Sequence, residues 1–264
     1  MTLDRFTVCS ICYRQRSLDE AFAALADAGF RRIDLFGMPP HFSADPAEVS
    51  PEAIESACAR WGVSVANLGT YLGRTFHLDD PQAVREEVER SLATIALAQR
   101  LGARTVRTLP GEGEDPAQIA RMAPPYADIS AAAEEAGVQL VMENHHGRLA
   151  GIADLAVRLC EAVGSPNFGI IYEPCNLLMG HHDYWADWRT MRDWVRHVHL
   201  KAGGWVDGKF ERCHYGDGEV DIAGIVSGLD ADGYRGDYAV EYEMDHVEPP
   251  ETGLVRWRQW LEAL

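Results

Sequence analysis

The sequence predicts a single (β/α)8 (TIM) barrel spanning residues 1–264, and three observations carry that expectation. Short β-rich apolar runs alternate with longer stretches of helical periodicity, and about eight such pairs fit along the chain. The connections between them are short, which favours parallel strands that close on themselves. A length of 264 residues also matches one barrel of this kind, which typically takes roughly 250 residues.

Taken in order, the first unit is the strand FTVCSI, the helix SLDEAFAALADAGF and the strand RRIDLFG. Ser17 is the expected N-cap of that helix, with Glu20 three residues on to complete a capping box. Ala21, Phe22, Leu25 and Ala28 form its apolar face, and Gly29 is its stop signal. Further strands are expected at VSVANLG, TVRTLPG, VQLVMEN, FGIIYEP, RHVHLKA and DYAVEYE, separated by helices such as PQAVREEVERSLATIALAQRLG and APPYADISAAAEEAG. The rival is an open doubly wound sheet. No G-x-G-x-x-G or G-x-x-x-x-G-K-[ST] follows any strand, so the nucleotide signature of that rival is missing. GEGED, after the fourth strand, carries acidic residues that would repel a phosphate. The irregular stretch AGGWVDGKFERCHYGDGE, after the seventh strand, has the length of an active-site loop that folds over the barrel mouth.

The formal charge of −17, from 41 acidic and 24 basic side chains, repels phosphate backbones and anionic membranes, so neither nucleic acid nor membrane is an expected partner. The N-terminal stretch MTLDRFTVCSICYRQ has no signal-peptide pattern, and no segment is apolar enough to span a bilayer, so a cytoplasmic protein is expected. Six scattered cysteines point to reduced thiols. Cys9 and Cys12 form a C-x-x-C without a second pair to complete a zinc site, so Cys9 is expected inside the first strand and Cys12 at its end. For quaternary state, a homodimer is the default for a soluble oligomer.

Active sites of such barrels lie at the C-terminal ends of the strands. Four polar residues stand there: Glu143, Glu173, His199 and Glu241, on the fifth to eighth strands. One carboxylate at a strand end is commonplace. Three around half of a barrel mouth would raise one another's pKa unless a cation neutralised them, and an imidazole beside them completes an O3N ligand set. A divalent metal is therefore expected on Glu143, Glu173, His199 and Glu241. The absence of a thiolate favours Mn2+, with Mg2+, Co2+ or Zn2+ as alternatives. Octahedral coordination would leave two positions for a hydroxy-carbonyl substrate.

The motifs V-M-E-N-H-H-G, Y-E-P-C-N-L, H-V-H-L-K and A-V-E-Y, in this order, resemble the xylose isomerase-like barrel superfamily, in particular its sugar phosphate isomerase/epimerase branch. The resemblance covers essentially the whole chain. It implies the same four metal ligands, and it implies acid/base roles for Glu143 and Glu241 on opposite faces of a ketose. Two departures are visible: Glu173 stands where the family commonly has Asp, and Ala202 stands where its strand-seven motif commonly has Asp. The resemblance further suggests Arg212, in the long loop, as a substrate-binding residue. His145 and His146, which follow the fifth strand, are candidates for contacting substrate hydroxyls.

Other residues near the expected mouth have simpler readings. His197 shares a strand face with His199 by the period of two and is expected to be a satisfied core histidine. Lys201 points to the same side, where a metal would compete with its charge. Tyr13, Phe36, Tyr71 and Trp205 are aromatics near loop openings, where packing is the usual role.

The expected activity is that of a metal-dependent sugar isomerase/epimerase, ketose 3-epimerase-like, working by proton transfer beside a carbonyl through a stabilised enediolate. The alternatives are a dehydratase acting on a keto-polyol such as an inosose or dehydroshikimate, and a sugar-binding barrel without chemistry. Apurinic endonucleases share the barrel, but they use a richer His and Asp set and a basic face, which this chain lacks. No cluster of Lys or Arg with backbone glycines is visible in the sequence, which tilts the expected substrate towards an unphosphorylated sugar or polyol.

Overall fold

The structure is a computed structural model describing residues 3–264. Eight parallel strands close into a barrel: β1 (Phe6–Cys9), β2 (Arg32–Phe36), β3 (Ser64–Leu72), β4 (Thr105–Thr108), β5 (Gln139–Glu143), β6 (Phe168–Tyr172), β7 (Val195–Leu200) and β10 (Asp237–Val240). β1 pairs with both β2 and β10, which completes the ring. Among the described residues, no helix is long and apolar enough to cross a membrane.

Helices α1 (Leu18–Asp27), α2 (Pro51–Trp61), α3 (Pro81–Leu101), α4 (Ile119–Ala136) and α5 (Ala153–Val163) connect the first six strands. The next crossover uses two helices, α6 (Pro174–Met179) and α7 (Tyr184–Met191). α8 (Ile222–Ala231) precedes β10, and α9 (Pro250–Ala263) follows it. Helix starts are set by local chemistry. The Ser17 side chain accepts from the backbone of Glu20, and the Glu20 carboxylate accepts from the backbone of Ser17, closing the expected box. Asp80 caps α3 by accepting from the backbone of Gln82 and Ala83. Ala21, Phe22 and Leu25 on α1 are fully buried; each large apolar side chain removed from water in this way contributes about 1.5–3 kcal/mol. At the strand starts, Arg32 donates to both carboxylate oxygens of Asp237, at 2.6 and 2.7 Å, tying β2 to β10 across β1.

The long stretch after β7 is more ordered than its composition suggests. It folds as an antiparallel hairpin of β8 (Gly203–Val206) and β9 (Lys209–Arg212). Asp207 and Gly208 form its two-residue turn, with φ of 49° and 77°, the backbone that Asp-Gly adopts in tight hairpins. Expecting an irregular loop here overlooked that turn signal.

Candidate active site

The four strand-end residues lie at one end of the barrel, all buried. Glu143 closes β5, and Glu241 directly follows β10, its backbone N–H donating to Leu200 at 3.0 Å so that the parallel ladder continues one residue further. His199 lies within β7. Glu173 is just beyond β6, where it caps α6 by accepting from the backbone of Cys175 at 2.9 Å. Asn144 fixes this corner: its side chain donates to the Glu173 carbonyl at 2.8 Å and accepts from the Glu173 backbone at 2.7 Å.

Glu143, His199 and Glu241 converge. The Nδ1 atom of His199 stands 3.5 Å from Glu143 Oε1 and 3.5 Å from Glu241 Oε2. One ligand atom from each of the three fits within a 4.8 Å span. Glu173 is outside that triad and is joined to it through Lys201, whose Nζ stands 3.2 Å from Glu173 Oε2, 2.6 Å from Glu241 Oε2 and 3.0 Å from Glu243 Oε2. Lys201 thus ion-pairs with the buried Glu241 Oε2 and Glu173 Oε2. Both ring nitrogens of His199 are buried without a hydrogen-bond partner. Buried polar atoms are normally satisfied.

Beneath this group, Asp34 of β2 accepts from His197 Nε2 at 2.6 Å, Thr7 Oγ1 at 2.7 Å and Asn67 Nδ2 at 3.1 Å. Its Oδ2 also lies 3.5 Å from His199 Nε2. His197 is thus a buried histidine with a partner, and Asp34 places a carboxylate behind the His199 ring without a hydrogen bond to it. Asp34, His197 and His199 form a second group compact enough to hold an ion, but the bond from His197 already satisfies Asp34, so the Glu143–His199–Glu241 side is the better fit.

The charges agree with that choice. Burial works against ionisation of Glu143, but Arg107 on β4, 2.8 Å from its Oε2, holds its pKa well below the usual carboxylate range. Glu241 is likewise pulled low against burial, by Lys201 and His199. Burial raises the pKa of Glu173, and Lys201 only partly offsets it. Burial disfavours a charged His199, yet Asp34, Glu143 and Glu241 around it raise its pKa well above the ordinary imidazole value. The centre of the triad thus favours positive charge. The unpartnered ring nitrogens of His199 and the oxygen-rich donor set around them together fit a divalent cation.

Glu143 and Glu241 face a cavity of about 310 Å³ whose walls also include Lys201, Arg212, His145 and Tyr71, while His199 and Glu173 lie behind it. A larger groove of about 590 Å³ opens at the opposite end of the barrel, beside Gln139, Val195 and Gly236, and holds none of the strand-end carboxylates. Arg212 reaches the cavity from β9, donating to Cys175 Sγ at 2.8 Å and lying 3.4 Å from Glu243 Oε2. His146 is exposed and is absent from the cavity wall, its neighbour His145 taking that place. Trp205 stacks on His181 at 4.3 Å. Sequence reasoning missed Asp34, Arg107, Asn144 and Glu243. Asp34 had a visible signal, a lone carboxylate inside the apolar strand RRIDLFG; Arg107 sits comparably in TVRTLPG.

Residues 22–264 match the family described as xylose isomerase-like TIM barrel. The chain belongs to that family. It is 26% identical over 245 residues to an L-ribulose 3-epimerase of Mesorhizobium japonicum, covering 89% of this chain and 78% of that protein. The fold is similar to a solved L-ribulose 3-epimerase, with TM-score 0.80, 22% identity and coverage of 98% and 93%. It is also similar to a probable 3-DHS dehydratase from Bacillus anthracis, with TM-score 0.78, 16% identity and 98% of each chain covered. At these identities the two solved structures establish the shared fold; the barrel hosts more than one chemistry.

Proposed function

We propose that this family member is a sugar epimerase of the ketose 3-epimerase type, with Glu143 and Glu241 as its acid/base pair. The observation that carries this reading is the placement of two buried carboxylates on strands that are not neighbours, β5 and β10, with β6 and β7 between them, both facing one cavity. Inversion at a carbon beside a carbonyl requires one carboxylate to remove the proton from one face and the other to return a proton to the opposite face. Arg107 fixes Glu143 and Lys201 fixes Glu241, so neither carboxylate is free to swing out of the cavity. Both are held ionised in the free site, so the carboxylate that returns a proton first takes one up from solvent, and the one that removed a proton releases it there.

Glu143, His199 and Glu241 would hold a divalent cation, with Glu173 the further ligand if its Oε2 turns from Lys201 to it. When bound, the cation would supply positive charge to the carbonyl oxygen as the adjacent C–H bond breaks. Mn2+ remains the preferred ion on the donor set. The protein's own contribution is to place the donors: Asp34 puts a carboxylate behind the His199 ring, and Asn144 sets the backbone that carries Glu173.

The test is proton NMR in D2O with metal-reconstituted protein and a panel of ketoses, ketose phosphates, keto-acids and inososes. Deuterium appearing beside the carbonyl, together with a C3 epimer and lost in both Glu143→Gln and Glu241→Gln, is the expected result. A dehydrated product would move the assignment to a lyase. Bound substrate without exchange in the parent protein would leave a sugar-binding barrel and overturn the reading.

A further inference from the structure

The cavity wall is richer in basic groups than the net charge of −17 suggests: five basic side chains against three carboxylates. Three of the five are already committed to the protein. Arg107 donates to Glu143 and to the carbonyls of Thr70 and Gly69, at 2.8, 3.0 and 3.1 Å. Lys201 is enclosed by Glu173, Glu241 and Glu243. Arg212 is held between Cys175 and Glu243.

The other two are different. Arg74, in the loop after β3, has no carboxylate within salt-bridge distance and no hydrogen-bond acceptor among the described residues. Its guanidinium is instead placed by stacking 4.9 Å from the Tyr71 ring centre. Tyr71 also packs on Arg107, 4.5 Å away, so a single ring links Arg74 to the arginine that anchors Glu143. Arg148 follows β5. Its backbone is fixed by a bridge to Gly113, and one guanidinium nitrogen donates to the Gly111 carbonyl. Its only carboxylate neighbour among the described residues, Glu112 at 3.1 Å, is 60% exposed, so solvent weakens that pair. Both arginines face the same cavity as Glu143 and Glu241.

A neutral ketose needs hydroxyl partners and has no use for two guanidinium groups lacking a strong anionic partner. A guanidinium fork matches a carboxylate or a phosphate. We infer that the substrate is a keto-sugar bearing an anionic group, carboxylate or phosphate, and that Arg74 and Arg148 bind that group at the outer wall of the cavity while the carbonyl end meets Glu143 and Glu241. This specificity rests on the epimerase reading for its chemistry, but not for its binding. It departs from the neutral substrate that the sequence alone favours, because Arg74 and Arg148 are far apart in the chain and only the barrel brings them to one cavity.

The experiment has a binding arm and a turnover arm. In the first, calorimetry on metal-free protein compares a five-carbon polyol, its terminal phosphate and the matching aldonate, none of which can undergo exchange at a carbonyl. One or both anions should bind at least about tenfold more tightly than the polyol, and Arg74→Gln and Arg148→Gln should each reduce that preference about tenfold. The member of the pair that binds better distinguishes phosphate from carboxylate. In the second arm, exchange in D2O is measured on a ketose, its terminal phosphate and the related keto-acid. The anionic preference should appear in kcat/KM and should shrink in the two variants mainly through KM. Equal binding of polyol and anions, or an anionic preference that survives both substitutions, overturns the inference. Anion binding lost in the variants, with no exchange on any compound, would uphold the anionic site and reject the epimerase reading instead.

Discussion

Replacing Arg107 by Met should expose how the site's charges hold one another. Arg107 and Glu143 form an ion pair at 2.8 Å with both side chains buried. Removing one partner of such a pair leaves a buried charge uncompensated and costs about 3–5 kcal/mol. The bonds to the Gly69 and Thr70 carbonyls are lost as well, each about 1 kcal/mol. Glu143→Gln should cost less, about 1–3 kcal/mol, because the amide oxygen can still accept from Arg107 and the guanidinium keeps its two carbonyls. The double variant has no orphaned carboxylate, so its destabilisation should fall short of the summed single effects by at least about 1 kcal/mol. Equilibrium urea unfolding followed by circular dichroism, with a chelator present so that no bound cation masks the effect, measures all three variants. Additivity within about 0.5 kcal/mol would refute the view that Arg107 acts through Glu143.

Other outcomes follow from the same geometry. Asp34→Asn removes the carboxylate behind His199 and should weaken Mn2+ binding by about 10–100-fold in calorimetry; unchanged affinity would mean that Asp34 does not orient the ligand. A saturating divalent cation, at about 100 times its dissociation constant, should stabilise the metal-free protein by about 2.7 kcal/mol and raise its melting temperature by about 5–10 °C. A melt unmoved by Mn2+, Mg2+, Co2+ and Zn2+ would remove the proposed site. Cys9, Cys160 and Cys175 are buried, with burial pushing each thiol up, so mass spectrometry after brief alkylation should find them unmodified until denaturant is added. Ser17→Ala should lower stability by about 1 kcal/mol through loss of the capping box, as read from the urea midpoint.

The parts of the molecule most visible in the sequence are those governed by local rules. The Ser17 box, the apolar face of α1 and the strand-end positions of Glu143 and Glu241 follow from spacing along one segment. The exchange of partners between segments was not readable in this way. Lys201 could be placed on the His199 side of its strand, but the position of its ammonium between Glu173, Glu241 and Glu243 depends on two other segments, those after β6 and β10. Glu173 looked like a strand terminus; the following proline starts α6 one residue later and turns the carboxylate into a helix cap. Asp34 was obscured because a single acidic residue in a strand has many ordinary explanations, and its bond to His197 spans 163 positions of the chain. Basic residues scattered at 74, 107, 148, 201 and 212 gave no cluster in the sequence, yet all line one cavity.

Arg74 and Arg148 stand on loops, whereas Glu143 and His199 lie within strands and Glu241 directly extends one. A substitution at 74 or 148 leaves the ion pairs around Glu143, His199 and Glu241 untouched, so mutations that change which molecules enter are separable from mutations that disable the chemistry. A lineage with this architecture can explore new ligands by single steps, each intermediate keeping Glu143 and Glu241 in place, because appetite and competence are encoded in different parts of the chain.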